Sequence, residues 1–462
     1  MVSMWLCVAL AGCVVHEVES NPEPEPAVAE KESGGGGSDD GFAHAPEKSR
    51  SAKSSQQPWW ESFADRELDR LVEQSLEGNP DLKAVGERIT QAHARLAQAG
   101  STLFPQIDGS GDFQRRWNVD GRRQDDAAIG LLFDWEIDVW GRIRSGRSAR
   151  AREAEAAVED WLAARLLLSA AVSELWFELR EQRGQLSLSH EQIEVNRTLL
   201  DLTRLRAGQG QGSIVDVYQA QEQLESIESF VPDIESRIEE LELALDALQG
   251  SLPGSTKPRK TGGSQTRPPA WPATGVPSDL LSERPDLRAQ RARILAVDHE
   301  VGEAIADRMP RFSIGGSLAA AGTPSIEKLV GDAVLAAVGP AFDAGNRKAE
   351  VSRRRSRVRE EVDLFTALYL GAVRDVEIAL VREDRLAERV RRQETQLATA
   401  RKLLQESMNR YKFGATDYLP VLDAVTKVQE LERALLTSRR ERLSARVSLH
   451  RALGGPMPNF ES

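Results

Sequence analysis

The chain is 462 residues long, with a formal net charge of −12, 40% hydrophobic residues and only 5% aromatic ones. An acidic balance of that size excludes nucleic acid as the main partner, and so little apolar material suits long helices burying narrow seams better than a large enzyme core. No run of eighteen apolar residues occurs, which excludes a transmembrane helix, so any membrane crossing must use strands.

Both cysteines, Cys7 and Cys13, lie in the opening stretch MVSMWLCVALAGC. This short apolar run ends Leu10-Ala11-Gly12-Cys13 and resembles the lipobox of bacterial lipoproteins, although its first residues lack the Lys or Arg of an ordinary signal. The resemblance implies that residues 1–13 are a signal ending at a lipidated Cys13 and that Cys7 leaves with it. A covalent lipid is then the one attached group, and no other cofactor is expected. Residues 14–58 hold NPEPEP, the run Gly34–Gly37 and many Ser, Asp and Lys, with almost nothing to bury. They read as a flexible tether.

A first repeat is predicted over 59–250. It begins at Trp59-Trp60, and ESFADRELDRLVEQSLEGNPDL predicts a short helix, a stop at Gly78-Asn79-Pro80 and a second helix to about Gly100. Pro105 opens a strand over about 106–117, where Ile107 and Phe113 alternate with polar residues and glycines. The next strand, about 129–139, sets Ile129, Leu131, Phe133, Trp135, Ile137 and Val139 against Gly130, Asp134, Glu136 and Asp138, with Leu132 the exception. One greasy face and one acidic face suit a barrel wall in lipid, with Asp134, Glu136 and Asp138 in the barrel lumen. Trp117, Trp135 and Trp140 lie near the hairpin ends, where interfacial aromatics belong.

Trp140-Gly141 ends the strand and the period becomes helical. Arg142, Arg144, Arg147, Arg150 and Arg152 form a basic stripe, facing either inner-leaflet phosphates or solvent. Val172, Leu179, Leu186, Ile193 and Leu200 then recur every seven residues, a coiled-coil seam in a helix over about 142–207. At ~1.5 Å per residue such a helix is about 100 Å long. GQGQGS breaks it, and Val217, Leu224, Val231, Ile238 and Leu245 carry a return helix over about 213–249, which Pro232 is expected to kink.

Residues 251–284, rich in Pro, Gly, Ser and Lys, form a linker, and the pattern then restarts over 285–455. Pro80-Asp81-Leu82 recurs 205 residues on as Pro285-Asp286-Leu287, and Pro105 recurs as Pro310. The heptad rows shifted by 204 are apolar at eight of ten positions, Glu383 and Arg442 excepted. Strands are predicted at about 311–320 and 333–342, and long helices at about 346–411 and 416–453. The expected fold is therefore mainly α with a transmembrane β-barrel. It has two structural repeats, each a β-hairpin plus a long antiparallel coiled-coil hairpin. Four strands cannot close a barrel, and lipid tolerates no open sheet edge, so several chains must share one.

Together these features resemble the outer-membrane efflux proteins, the TolC-like channels, and most closely their lipoprotein branch. The resemblance is carried by Cys13, Trp59-Trp60, EGNPDL at Glu77–Leu82, FDWEIDVWGR at Phe133–Arg142, VPSDLLSERPDLRA at Val276–Ala289 and the two helix turns, and runs from about Trp59 to Gly454. It implies a homotrimer forming a 12-stranded barrel in the outer membrane of a Gram-negative bacterium and a periplasmic helical tunnel. Such channels are exit ducts of tripartite efflux systems, passing small molecules from a periplasmic adaptor (membrane fusion) protein and an inner-membrane transporter, often of the resistance-nodulation-division class. They catalyse nothing. The turns GQGQGSIVDVYQA and YKFGATDYLPVLDA resemble the family's tips, which implies adaptor docking at Gly210, Ser213, Gly414 and Thr416. It also implies a periplasmic constriction at Asp423, with latch residues Asp216 and Tyr411. Pro420 departs from the pattern, standing where relatives often carry a second aspartate.

Blander readings explain less. GQGQGS follows a helix rather than a strand, so it fails the context test for a phosphate loop, and the six histidines are scattered without metal-ligand spacing. A structural coiled-coil lipoprotein spacing the envelope would explain the heptads and the anchor, but not the repeated alternating strands.

Overall fold

The computed structural model describes residues 16–18, 41–46, 57–117, 123–255, 267–322 and 328–456. Cys7, Cys13 and the rest of the expected signal lie outside them. After a 3-10 turn at Trp59–Phe63 come α1 (Arg66–Gly78), α2 (Pro80–Ser101), β1 (Gln106–Trp117), β2 (Arg123–Ile137), α3 (Arg142–Gly208) and α4 (Ile214–Leu248). The second half holds α5 (Pro285–Ala306), β3 (Arg311–Gly322), β4 (Lys328–Val338), α6 (Asn346–Lys412) and α7 (Leu419–Ala452). The duplication is visible in the lengths: α2 and α5 both have 22 residues, α3 and α6 both 67. The α4 helix continues unbroken through Pro232.

Strand limits differ from the periodicity. The β2 strand starts at Arg123, extended by pairing of Arg115 with Asp125 across the hairpin at 2.8 Å, and ends at Ile137. Asp138 therefore lies past the strand. Its carboxylate accepts from the backbone N–H groups of Ile143 and Arg144 at 3.1 and 2.9 Å, capping α3. The β4 strand runs Lys328–Val338 rather than about 333–342, stopping before Gly339-Pro340, where proline has no N–H for the ladder, and Asp343 then accepts from the N–H groups of Gly345 and Arg347 at the start of α6. Those two backbone bonds hold the Asp343 carboxyl below its usual range.

The chain divides into two compact units, with divisions inside α2, α3 and α6 and another just before α5. One unit contains the strands, which form a single antiparallel sheet in the order β1-β2-β3-β4. Register places Ile107 against Phe133, Leu131 against Leu318, Trp135 against Ile314 and Ile314 against Leu335. Side chains alternate, so these apolar residues share one face with Ile129, Ile137, Phe312 and Leu329. The face is open: Ile107 is 66% exposed, Ile129 60% and Leu335 75%. Trp135 and Trp140 donate their indole N–H to the carbonyls of Leu103 and Pro310, at 3.0 and 2.8 Å. In the same unit, ion pairs tie α5 to its neighbours: Arg288 to Glu159, Arg293 to Asp160, and Glu300 to Arg354 and Arg357. Most arginines of the expected basic stripe are paired too, Arg142 with Glu136, Arg144 with Asp138, Arg150 with Glu153 and Arg152 with Glu155. His16, in the stretch read as tether, pairs with Asp298 at 2.7 Å.

The other unit packs the longer parts of the coiled-coil hairpins. Its core gathers Trp59, Trp60 and Phe63 against Leu68 and Leu71 of α1, Trp176 and Leu179 of α3, Leu245 of α4 and Val447 of α7. Trp59 stacks on His450 at 5.5 Å, and burial, with Arg446 nearby, pushes that imidazole down to about 3, so it is neutral. Asp65 caps α1 and also takes Trp176 Nε1 and Arg180; burial alone would raise its carboxyl, but these bonds outweigh it and hold it low. Tether residues reach this unit as well. Phe42 is fully buried, and the Glu377 carboxylate accepts from the N–H groups of Ala43 and His44.

The heptad exception Glu383 has its partner on a neighbouring helix. It occupies the seam position of Leu179, wholly buried, and pairs with Arg446 of α7. Arg446 also donates to the carbonyls of Pro269 and Ala270 and lies 4.6 Å over the Trp271 ring, so part of the linker is pinned to the seam. In the first repeat the signs are reversed, with Arg183 on α3 and Glu242 on α4.

Breaking a buried pair leaves an uncompensated charge, so Glu383→Leu should cost about 3–5 kcal/mol. Thermal unfolding should show Glu383→Leu/Arg446→Met recovering part of that loss. A second effect concerns pH. Burial, reinforced by Glu61, Asp65 and Glu73, pushes Asp69 up to about 6 from 3.8. The proton binds the folded state more tightly, so this stabilisation is full below the unfolded value and is lost as pH rises through about 6. Asp69→Asn should therefore melt above the wild type at pH 8, by a margin that shrinks as the pH is lowered toward 4.

Candidate functional site

The long helices turn back through two loops built alike. Gly210 and Gly414 both have φ of +72°, a region open to glycine. Gly210 N–H donates to Ala207 and Gln211 N–H to Arg206, at 3.1 and 2.9 Å; Gly414 and Ala415 repeat this to Tyr411 and Arg410, at 3.0 and 2.9 Å. These are the paired bonds of a Schellman cap. The return helices start differently. Ser213 caps α4, accepting from Val215 N–H at 3.1 Å, while the Asp216 carboxylate accepts from Ser213 N–H at 3.3 Å. In the second loop Pro420 stands at the position of Asp216, and α7 begins at Leu419 rather than near 416, because proline in the first turn has no N–H to satisfy.

Between the loops sits an aromatic cluster. Tyr411 and Tyr418 are 2% and 0% exposed, with rings 5.6 Å apart. The Arg206 guanidinium lies 4.1 Å over the Tyr411 ring and donates to the carbonyls of Tyr411 and Gln211, stitching the first turn to the second. Neither tyrosine hydroxyl has a hydrogen-bond partner among the described residues. Burial pushes Tyr418 up to about 12, with Tyr411 and Asp216 adding to the shift. Burial raises Tyr411 as well, opposed by Arg206 and reinforced by Asp216.

Of the residues expected to act here, Asp216 and Tyr411 are brought into one electrostatic environment, though Asp216 spends its carboxylate on its own helix cap. Asp423 lies exposed on α7, and Gly210, Ser213 and Gly414 are exposed at the loops, with Thr416 half-buried. Ile214, Val215, Tyr218, Phe413 and Leu419 add apolar surface, Phe413 being 88% exposed. Sequence reasoning passed over Arg206 and Tyr418. The only signal for Arg206 was its place four residues before the turn glycine, where helix carbonyls run out of partners.

On the sheet, Asp134 and Glu136 lie on the face opposite the apolar one, and Glu136 is engaged by Arg142 at 2.7 Å. Register adds Asp108, Asp112 and Asp332 to that face, with Leu132, Val330, Val334 and Val338 as apolar exceptions. No group of three or more His, Cys, Asp or Glu among the described residues is placed to hold a metal ion, and no described helix is long and apolar enough to cross a membrane.

The arrangement of hairpin, long helices and repeat matches a known family, the outer membrane efflux proteins, over residues 71–251 and 276–455. The chain belongs to that family. This outer membrane efflux protein is thus an outer-membrane exit channel of a tripartite efflux system, from a family of channels rather than enzymes that works with a periplasmic adaptor and an inner-membrane transporter. The pyoverdine export outer membrane protein OpmQ of Pseudomonas putida is 28% identical over 428 residues, covering 89% of this chain and 90% of the relative. The toluene efflux pump outer membrane protein TtgF, also of Pseudomonas putida, is 28% identical over 481 residues, covering 100% and 97%. The open state of the Neisseria gonorrhoeae MtrE outer membrane channel superposes with a TM-score of 0.84 at 22% identity, covering 96% and 98%, which supports the fold of this efflux protein.

Two substitutions test the tip. Ser213→Ala should cost about 1 kcal/mol of local stability, read as faster amide exchange over 215–217. Tyr418→Phe removes a buried hydroxyl whose desolvation costs about 1–3 kcal/mol, so the melting temperature should hold or rise. A fall would show that the hydroxyl has a partner outside the chain.

Proposed function

We propose that three copies of this chain share one twelve-stranded barrel in the outer membrane, continued toward the periplasm by a tunnel of their long helices. The observation that carries this is a four-stranded sheet with one apolar, exposed face, whose outer strands β1 and β4 each lack a strand partner on one edge among the described residues. From Ile129 to Ile137 that face runs ~27 Å along the strand at ~3.4 Å per residue. Tilting brings it near the roughly 25 Å apolar band of outer-membrane barrels. Closure with neighbouring copies satisfies both edges, turns the apolar face to lipid and puts Asp134 and Glu136 in the lumen. Asp138 supports the wall from just below by capping α3.

In the same reading the exposed apolar residues of the two loops, together with Gly210, Ser213, Gly414 and Thr416, meet the adaptor. Asp423 lines the constriction, and Asp216 and Tyr411 latch neighbouring helices. The inner-membrane partner is a transporter of the resistance-nodulation-division class. A lipid on Cys13 anchors the chain to the outer membrane, and no other cofactor takes part. The cargo belongs to the transporter: OpmQ is a pyoverdine export protein and TtgF a toluene efflux protein, at the same identity to this chain.

Native mass in mild detergent, corrected for bound detergent, should be that of three chains. A folded, stable monomer or dimer would overturn the shared barrel and favour an envelope-spacing coiled-coil lipoprotein. In planar bilayers Asp134→Asn should reduce the preference for cations over anions; unchanged selectivity would remove Asp134 from the lumen.

A further inference from the structure

The two repeats carry different charges at one equivalent place. In the second repeat Glu300 of α5 is held between Arg354 and Arg357 of α6, its side chain 9% exposed, so one carboxylate bridges two helices. The first-repeat counterparts, at shifts of 205 and 204, are Arg95 on α2 and Arg150 and Glu153 on α3. The acid has moved onto the same helix as its arginine, where Glu153 pairs with Arg150 three residues away at 2.5 Å. Nothing acidic replaces Glu300 on α2, because Arg95 stands there.

Where the second repeat is closed, the first has an open groove of about 470 Å³, lined by Arg88, Arg95, Arg150, Arg293, Glu153 and Asp160 among others. Arg293 is paired with Asp160 at 2.5 Å. Arg88 and Arg95 are exposed and make no ion pair among the described residues. Among the lining residues four guanidiniums meet two carboxylates, and beyond the lining Glu300 and Glu303 act on Arg150, so the cations left without an acidic partner among the described residues are Arg88 and Arg95. Arg150 and Arg293 are held by acidic neighbours, which leaves Arg88 and Arg95, both lining the groove from α2, to offer a tetrahedral oxyanion two guanidiniums rather than one charge. The volume also exceeds what one carboxylate side chain would fill.

We propose that this groove binds a phosphate dianion, which bridges α2 and α3 as Glu300 bridges α5 and α6. The phosphate is either free inorganic phosphate or a monoester headgroup of a lipid. Purified wild-type oligomer in detergent is titrated calorimetrically with inorganic phosphate against chloride of matched ionic strength, beside Arg88→Gln/Arg95→Gln and Arg88→Lys/Arg95→Lys. Saturable binding weakened at least about tenfold in the glutamine variant, and less in the lysine variant, supports the site with free phosphate. In the second arm, protein from nanodiscs of phosphatidylcholine with or without phosphatidic acid is weighed by native mass spectrometry. Retention of phosphatidic acid by the wild type and its loss in the glutamine variant supports the lipid source. If neither arm depends on Arg88 and Arg95, the proposal is overturned. It is equally overturned if the glutamine variant changes subunit number, because the arginines would then be holding a carboxylate of a second copy.

Discussion

Everything in the strand region follows from one constraint: backbone N–H and C=O groups beside an apolar surface must be paired. The alternation from Ile129 to Ile137 commits a whole face to greasy side chains, and register extends that commitment across all four strands. A soluble protein would cover such a face with helices. Here it is left open, and among the described residues β1 and β4 each have one edge without a strand partner. A sheet of this kind is half of a statement about its surroundings, and the proposed closure with other copies would complete it.

Duplication fixes the frame and leaves the chemistry free to diverge. Both loops close with the same two backbone bonds around a glycine, yet one return helix is opened by a serine and aspartate and the other by a proline. The seam ion pair exists twice with its signs exchanged, Arg183–Glu242 and Glu383–Arg446, and only the second is fully buried and reaches the linker. Geometry is shared wherever the backbone sets it. Where side chains set it, each copy has its own solution.

That split also decides what the sequence could reveal. The long helices were legible because a period of seven sustained over many turns has one interpretation, and apart from the start of α7, three residues later than expected, their ends came within a residue because Gly210, Gly414 and Trp140-Gly141 punctuate them. The strands were legible in kind but not in extent. Asp125-Asp126 lies outside the strand that alternation predicts until Arg115 is seen opposite, and Asp138 continues the alternating pattern although its carboxylate belongs to the helix that follows. Of the groups gathered between the two loops, motif resemblance pointed to Asp216 and Tyr411. Arg206 and Tyr418 could not, because a cluster across two loops 205 residues apart has no local signature. Glu383 looked like a flaw in the heptads, since its partner lies on another helix.

The caps at Asp138 and Asp343 have a mechanical meaning. In each repeat a strand passes into a 67-residue helix through a few residues, and the connecting aspartate grips the first turn by two backbone N–H groups, while Arg144 braces Asp138 from the side. Such a joint is an elbow locked at a fixed angle, with little slack to absorb torque. Rotation applied to the first turns of either helix is therefore passed to the strand. Further along, Gln185, Gln192 and Glu181 of the α3 seam are buried and bonded to α7, so that stretch is held by polar contacts as well as by hydrophobic layers.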